Sequence, residues 1–289
     1  MDEQKAMPPE ACTLSTNKAG KMENRVPPLK GHVVVVNCNE KVAAIVEELQ
    51  TGSNGAPLDV VLLVHDRELW EAHPHWHPEV VDGAGFYILY GSAHDMELLK
   101  EASIRHARAA IILADPTQGV LTDARSTLAA VAIERENPQV HTVEELILSI
   151  NRDHLARMNV DEVVCLGEIS EKLIAQSCIS PGVKNIFQEL LTTRSGTTQI
   201  FLPEIPLSLH QKTYREISRE CIEKGTPFIP LGYVINTPMP RTSGPRKGVA
   251  AKSVCINPRR SAKDIPLTGH SQLAVMAYDP PGDLGHWLG

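Results

Sequence analysis

The apolar residues in the first half of the chain fall into short continuous runs. The clearest of these runs are HVVVVN (32–37), DVVLLVHD (59–66), FYILYG (86–91) and ARAAIILAD (107–115). Uninterrupted β-branched and aliphatic runs of this length are typical of strands that are buried on both faces of a parallel sheet. We therefore predict a strand at each run, and weaker strands at VHTVEEL (140–146) and DEVVCLGE (161–168).

The segments between these runs carry apolar residues at helical spacing. In residues 39–50 the apolar side chains recur every three to four positions, at Val42, Ile45, Val46 and Leu49. Similar patterns predict helices at 95–104, 124–137 and 152–159. Regular alternation of strand and helix predicts a parallel sheet with right-handed crossovers. The expected fold class is therefore α/β, with a Rossmann-like parallel sheet.

A pair of amphipathic segments follows the last predicted strand. Apolar side chains recur along residues 170–192, among them Leu173, Ile174, Ile179 and Phe187, and Pro181-Gly182 interrupts the pattern. This pattern predicts two helices joined by a bend. From the pattern alone, the apolar stripe either completes the core of one domain or forms a crossing pair of helices at a dimer interface.

The final hundred residues change character to a mixture of strands and one helix. Strands are predicted at 198–205, 228–235, 252–258 and 271–280, with a helix at 209–225. We therefore predict a small α+β unit at the C-terminal end. The expected organisation is a flexible tail at 1–30, the Rossmann-like lobe at 31–169, the helix-bend-helix crossover at 170–195 and the C-terminal subdomain at 196–289.

Composition narrows the class of protein. The 289 residues are 42% hydrophobic and 22% charged, which is ordinary for a globular protein, and no apolar run approaches the length of about 20 residues that a membrane helix needs. A net charge of −7 argues against nucleic acid as a partner. The basic stretch at 241–263 is expected to be a solvated loop. Six cysteines without a CxxC pair, and no export signal, lead us to expect reduced thiols and a cytoplasmic location.

Polar residues follow the ends of the predicted strands, where parallel sheets bind ligands. These candidate ligand-binding residues are Asn37, Cys38, Asn39, Asp66, Arg67, Gly91, Ser92 and Asp115. A dinucleotide site has the pattern GxGxxG after the first strand, but the three glycine positions here are Asn37, Asn39 and Val42. Asp66 stands where an acid accepts ribose hydroxyls. The small C-terminal unit offers no nucleophile–base pair, no glycine-rich phosphate loop and no acid dyad.

The stretch WEAHPHWHPEVV (70–81) raises the question of a metal site. His73, His75 and His77 occupy alternate positions, flanked by glutamates, and these groups are ligands for zinc, nickel or copper. The intervening prolines predict an extended backbone, in which alternate residues lie about 6.6 Å apart. All three imidazoles therefore cannot bind one tetrahedral ion without a bend, although two of them and a carboxylate can. A solvated loop and a pH sensor are the alternatives.

Several stretches resemble a known family. The segment IAQSCISPGVKNIFQELL (174–191) resembles the one that follows the Rossmann core in RCK domains, the regulators of potassium conductance, and is most similar to BK-type calcium-activated channels. Three other stretches also resemble RCK domains: LKGHVVVVNCNEK (29–41), the residues at 86–115 and DARSTLAAVAIERENP (123–138). The C-terminal subdomain of that family is similar to three further stretches, LHQKTYREI, PLGYVI and IPLTGHSQLAVMA. The likeness spans about residues 31 to 280.

The resemblance implies a cytosolic, ligand-sensing regulatory domain of the gating-ring type, which is not an enzyme and controls potassium channel activity by rearrangement of RCK dimers. It implies a homodimer through Leu173, Ile174, Ile179 and Phe187, or an octameric ring, at the inner face of the membrane beside a channel pore or transporter subunit. The ligand expected is an adenine nucleotide or NAD(H), or else a divalent cation. The calcium-binding Gly-Asp-Pro turn of some members reads GSAH here, with Ser92 at the aspartate position, whereas acidic residues are kept as Glu144 and Glu145.

Two alternatives share the predicted fold. One is an NAD(P)-dependent oxidoreductase, which the absent glycines and the lack of a hydride-transfer residue disfavour. The other is a nucleotide-binding subunit of a Trk-type potassium transporter. The resemblance of the C-terminal subdomain to channel RCK domains favours the channel regulator over both.

Overall fold

A computed structural model describes residues 26–52, 58–151, 160–194, 196–237, 251–259 and 265–288. The helix predicted at 152–159, most of the predicted tail and most of the basic stretch lie outside these residues. Among the helices in these ranges, none has both the length and the apolar character that crossing a membrane requires.

The first half of the chain forms a six-stranded sheet in which every pairing is parallel. Its strands are β1 Val33–Val36, β2 Val60–Val64, β3 Phe86–Tyr90, β4 Ala109–Ile112, β5 His141–Leu146 and β6 Glu162–Cys165. Their order is β3-β2-β1-β4-β5-β6, so the direction of the crossovers reverses between β1 and β4. The predicted Rossmann-like α/β fold is confirmed, and this reversal is the place where open parallel sheets generally bind ligands.

Helices cover both faces of the parallel sheet. They are α1 Val42–Thr51, α2 Arg67–Ala72, α3 Met96–Glu101 and α4 Thr122–Glu136. One core, which includes Val42 and Val46 of α1 and Trp70 of α2, covers one face. The other core includes Leu99 of α3 and Ile133 of α4. Strands β1 and β2 are buried along their whole length between these layers, which explains their uninterrupted apolar sequence.

Two helices then extend away from the sheet, and we call them the helical arm. They are α5 Leu166–Ile179 and α6 Val183–Leu191, joined at Gly182, whose φ of 97° falls in the left-handed region. The predicted helix-bend-helix is therefore present, but α5 begins at Leu166, inside the segment predicted as a strand. Neither helix of the arm has a buried residue.

The C-terminal residues form a separate antiparallel sheet with its own core. Strands β7 Gln199–Phe201, β8 Phe228–Thr237, β9 Ala251–Ile256 and β10 Ser271–Ala277 have the order β7-β10-β8-β9. Helices α7 Tyr214–Lys224 and α8 Leu284–Leu288 pack on one face. A capping box between Thr213 and Glu216 starts α7, and Gly225 at a φ of 62° ends it. The two separate cores agree with the predicted division, whose boundaries stay a prediction.

Candidate functional site

Two asparagines join the end of β1 to the end of β4, across the reversal of the sheet. Asn37 Nδ2 donates to the Leu113 carbonyl at 2.8 Å, and Asn39 Nδ2 donates to the Ala114 carbonyl at 2.9 Å. Asn37 has a φ of 67°, so asparagine supplies the left-handed turn here that glycine supplies in dinucleotide enzymes. These bonds thus hold the turn against the end of β4, and the turn carries side chains where those enzymes expose backbone.

Glu145 lies next to this turn, and its carboxylate already has protein partners. Its carboxylate accepts from the Ala114 amide at 3.0 Å and lies 2.9 Å from Lys41 Nζ. Burial works against the Lys41 cation, but the Glu145 carboxylate outweighs it, so the pKa of Lys41 is raised. A metal ion at Glu145 would therefore have to displace both a lysine and a backbone amide.

Glu144 points to the opposite face of the sheet, because successive side chains of a strand alternate. It is fully buried, and its carboxylate oxygens make no hydrogen bond of ordinary geometry among the described residues, although the Thr127 hydroxyl lies near enough to oppose the rise of its pKa. Burial, and then the nearby Asp123 carboxylate, raise the pKa of Glu144 to about 8. Asp123 itself accepts hydrogen bonds from the amides of Ile147 and Leu148. Since Glu144 and Glu145 lie on opposite faces, they cannot bind the same ion.

The structure does bring Cys38, Asp66 and Asp115 together over the end of β1. Burial raises the pKa of the Cys38 thiol to about 11, and the carboxylates of Asp115 and Asp66 reinforce that shift. Asp66 also accepts a hydrogen bond from the Leu69 amide at 2.9 Å, which caps α2. Asp115 accepts from the Thr117 amide at 2.9 Å. These side chains lie at the carboxyl edge of the sheet, where a ligand was predicted from the sequence.

Three of the predicted ligand-binding residues lie farther out. Arg67 is exposed, pairs with Glu71 at 2.7 Å and lies 4.9 Å above the ring centroid of Tyr90. Gly91 and Ser92 follow β3, the outermost strand, two strands away from β1. With about 4.8 Å between neighbouring strands, this loop lies about 10 Å from the end of β1.

Three basic residues that no sequence pattern indicated also follow the carboxyl ends of the strands. His65 follows β2, His94 lies between β3 and α3, and Arg125 lies near the start of α4. Burial, then Arg125, then His65 lower the pKa of His94, so both of these residues are within electrostatic reach of His94. No local motif links these three residues, because the elements that carry them are far apart in sequence.

The expected extended backbone at the three histidines is wrong. Helix α2 ends at Ala72, and Pro74–Trp76 forms a 3₁₀ turn directly after it. The tryptophans explain the difference, because Trp70 and Trp76 are both buried and fold the chain back on itself.

The outer two histidines are held by these tryptophans. His73 stacks on Trp76 with centroids 4.1 Å apart, and its Nδ1 lies 2.8 Å from the Leu69 carbonyl. His77 stacks on Trp70 at 4.3 Å, and its Nε2 lies 3.1 Å from the Trp70 carbonyl. Among the residues that the structure describes, no three His, Cys, Asp or Glu side chains form a group that could hold a metal ion. The geometry of this segment is that of a packed turn.

Comparison with known proteins agrees with this architecture. Residues 28–144 match the family model of the calcium-activated potassium channel slowpoke-like RCK domain. The match covers the turn after β1, Asp66, Asp115 and Glu144. The resemblance to RCK domains that the sequence suggested is thereby confirmed over this part of the chain.

Relatives extend the likeness. The calcium-gated potassium channel TvoK of Thermoplasma volcanium is 25% identical over 183 residues, which cover 62% of this chain and 48% of TvoK. The calcium-activated potassium channel slo-1 of Caenorhabditis elegans is 26% identical over 122 residues, 39% of this chain and 11% of slo-1. The human SLO3 gating ring shares the fold with a TM-score of 0.58 at 16% identity, over 89% of this chain and 46% of that chain. The chain thus spans less than half the length of each.

Proposed function

We propose that this chain is a ligand-sensing regulatory domain that controls potassium flux, and that it works as a dimer of the RCK type. The observation that carries the proposal is the helical arm. Two consecutive helices, α5 and α6, extend from an RCK-like lobe without burying any residue in their own chain. A regulatory module that acts by assembly needs such a surface.

The arm presents an apolar stripe to its surroundings. Its exposed apolar residues include Ile174 at 72% exposure, Ile179 at 77% and Phe187 at 46%, and Leu173 beside them is half-buried. An exposed patch of this kind on a folded protein marks an interaction site. Burying each such side chain contributes about 1.5–3 kcal/mol. A second copy offers the same stripe, so a two-fold pair would bury both at once.

The ligand in this proposal sits at the carboxyl edge of β1, near Cys38, Asp66 and Asp115. An adenine nucleotide or NAD(H) suits this edge of the sheet better than a divalent cation, because Glu145 is occupied by Lys41 and Glu144 faces the other way. Asn37 and Asn39 place side chains where hydride-transferring enzymes expose backbone, which favours regulation over catalysis. The proposal requires a ligand that binds one arrangement of the dimer more tightly than another.

In this proposal the pore belongs to a channel or transporter subunit in the membrane, and the dimers act at its cytoplasmic face, alone or within an octameric ring. The test is to fuse this chain to a potassium channel pore whose own regulatory ring has been removed, and to measure potassium flux in vesicles. We expect ADP or NAD(H) to change the flux, and the Phe187→Asp variant to lose the response. Flux that ignores nucleotides and divalent cations alike in a correctly assembled fusion would reject the proposal.

A further inference from the structure

Lys41, directly before α1, places its ammonium group between two carboxylates. Its Nζ lies 2.9 Å from Glu145 Oε1 and 3.2 Å from Glu40 Oε1. Glu40 is exposed, but the side chain of Glu145 is only 11% exposed and that of Lys41 32%. Glu145 belongs to β5, which is separated from β1 by β4. The ion pair therefore spans the reversal of the sheet, from the turn after β1 to the end of β5.

The other oxygen of the Glu145 carboxylate faces hydrogen-bond donors. The Ala114 amide donates to Oε2 at 3.0 Å, and Asn39 Nδ2 donates to the same oxygen at 3.4 Å. The side-chain oxygen of Asn39 accepts from the Lys41 amide at 3.0 Å. Calcium takes about six to eight oxygen ligands, whereas N–H groups present positive charge to the carboxylate. These surroundings suit a carboxylate that a side chain neutralises, and they do not fit a bound divalent ion.

We propose that Lys41 is an internal cation that determines which class of ligand this edge accepts. Its ammonium supplies the positive charge that the Glu145 carboxylate needs, and it joins the turn after β1 to β5 as a bound ion would. Because the ammonium is tethered, its effective concentration at the carboxylate is high, and free divalent ions do not displace it. The inference deepens the proposed function, on which it rests for the position of the regulatory ligand, since it makes the response at this edge independent of divalent cations.

Removal of the ammonium should make the edge respond to free cations. Lys41→Ala leaves the largely buried Glu145 carboxylate without its counter-charge, which should lower the melting temperature by about 5 °C. The space that the lysine side chain vacates gives a hydrated calcium ion access to Glu145 and Glu40 together. Calcium should therefore restore part of the stability that this variant loses.

Thermal unfolding of the purified chain tests this expectation. The quantity measured is the shift in melting temperature that calcium chloride produces, relative to sodium chloride of the same ionic strength. At about 10 mM, above the dissociation constants of about 0.1–1 mM of weak calcium sites, the shift for Lys41→Ala should exceed that for the wild type by about 3 °C. Lys41→Arg keeps a cation at this position and should respond as the wild type does.

Two further variants separate the Lys41–Glu145 pair from a general change in surface charge. Lys100→Ala is the matched control, because Lys100 pairs with Glu97 at 2.6 Å and both side chains are exposed. It should respond to calcium as the wild type does. The double variant Lys41→Ala/Glu145→Gln lacks the carboxylate as well and should lose the calcium response of Lys41→Ala. If Lys41→Ala does not fold, Lys41→Gln, whose neutral side chain is longer, takes its place with the same expectation.

Equal calcium responses of Lys41→Ala and the wild type would overturn the inference, and so would a wild-type response that Glu145→Gln abolishes. Light scattering on the same samples distinguishes either failure from a failure of the proposed function. A dimer in which the wild type and Lys41→Ala respond alike contradicts the role of Lys41 alone. A monomeric wild type whose Lys41→Ala variant gains the calcium response contradicts the proposed assembly and keeps the role of Lys41.

Discussion

Glu48 in α1 accepts two hydrogen bonds from Thr193, one from its backbone amide at 2.7 Å and one from its hydroxyl at 2.6 Å. The Thr192 hydroxyl adds a third at 3.0 Å. Helix α1 begins directly after the turn at the end of β1, and Thr193 follows the helical arm. This contact therefore ties the second half of the helix that follows the β1 turn to the segment that links the arm to the C-terminal subdomain.

We expect Glu48→Gln to loosen this connection. Burial alone would raise the pKa of Glu48, but the hydrogen bonds from Thr193 and Thr192 outweigh it, so the pKa is lowered. The amide keeps one acceptor oxygen and loses the charge, which should reduce the free energy of unfolding by about 1 kcal/mol at neutral pH. Urea unfolding measures the change.

Two controls test this assignment: the pH dependence of the Glu48→Gln effect, and a substitution of the neighbouring Glu47. A lowered folded-state pKa gives stability that is present above the ordinary value of 4.5 and is lost as the pH falls through the folded value. The difference between Glu48→Gln and the wild type should thus shrink in acid. Glu47→Gln removes only an exposed pair with Arg194 at 3.4 Å and should change little. If the two variants unfold alike, Glu48 does not hold this junction.

Glu144→Gln should stabilise the protein in neutral and alkaline solution. The pKa of Glu144 is raised from 4.5 to about 8 in the folded state, so the fold must keep this carboxyl neutral. Its stability contribution is complete below 4.5 and declines as the pH rises towards 8. An amide is neutral throughout, so the melting temperature of the variant should depend less on pH between these values. Glu145→Gln should do the opposite and lower stability, because it breaks the pair with Lys41.

Substitutions of Asn37 separate backbone conformation from hydrogen bonding. Asn37→Gly loses the bond to the Leu113 carbonyl but tolerates the φ of 67°. Asn37→Ala loses the same bond and also places a Cβ in the left-handed region, at an extra cost of about 1–2 kcal/mol. The free energy of unfolding, measured in denaturant, should therefore be highest for the wild type, lower for Asn37→Gly and lowest for Asn37→Ala. Equal values for the two variants would mean that the turn relaxes when its side chain is lost.

The sequence predicted the parallel sheet well, because a strand buried on both faces must be apolar at every position. The boundary between β6 and α5 was predicted less well. Cys165 precedes α5 without donating or accepting a capping hydrogen bond through its side chain, so no cap residue marks the start of the helix. At 73–77, the prolines predicted an extended chain, but the chain forms a 3₁₀ turn because Trp70 and Trp76 are buried.

The candidate site was predictable only in part. Residues that directly follow β1, β2 and β4 could be placed from the topology, since parallel strands end at one edge. His94 and Arg125 could not, because they come within electrostatic reach of each other only after α3 and α4 have packed on the same face of the sheet. Likewise, the opposite orientations of Glu144 and Glu145 follow from strand alternation, but their partners depend on the tertiary structure.

The most direct test of the proposed assembly is the mass of the protein in solution, measured by light scattering. We expect the wild type to be a dimer or a larger even assembly, and Phe187→Asp to be a folded monomer, because it places a charge in the apolar stripe of α6. Lys184→Asp, at an exposed polar position of the same helix, is the control and should leave the mass unchanged. A monomeric wild type, or a Phe187→Asp variant with the wild-type mass, would contradict dimerisation through the helical arm.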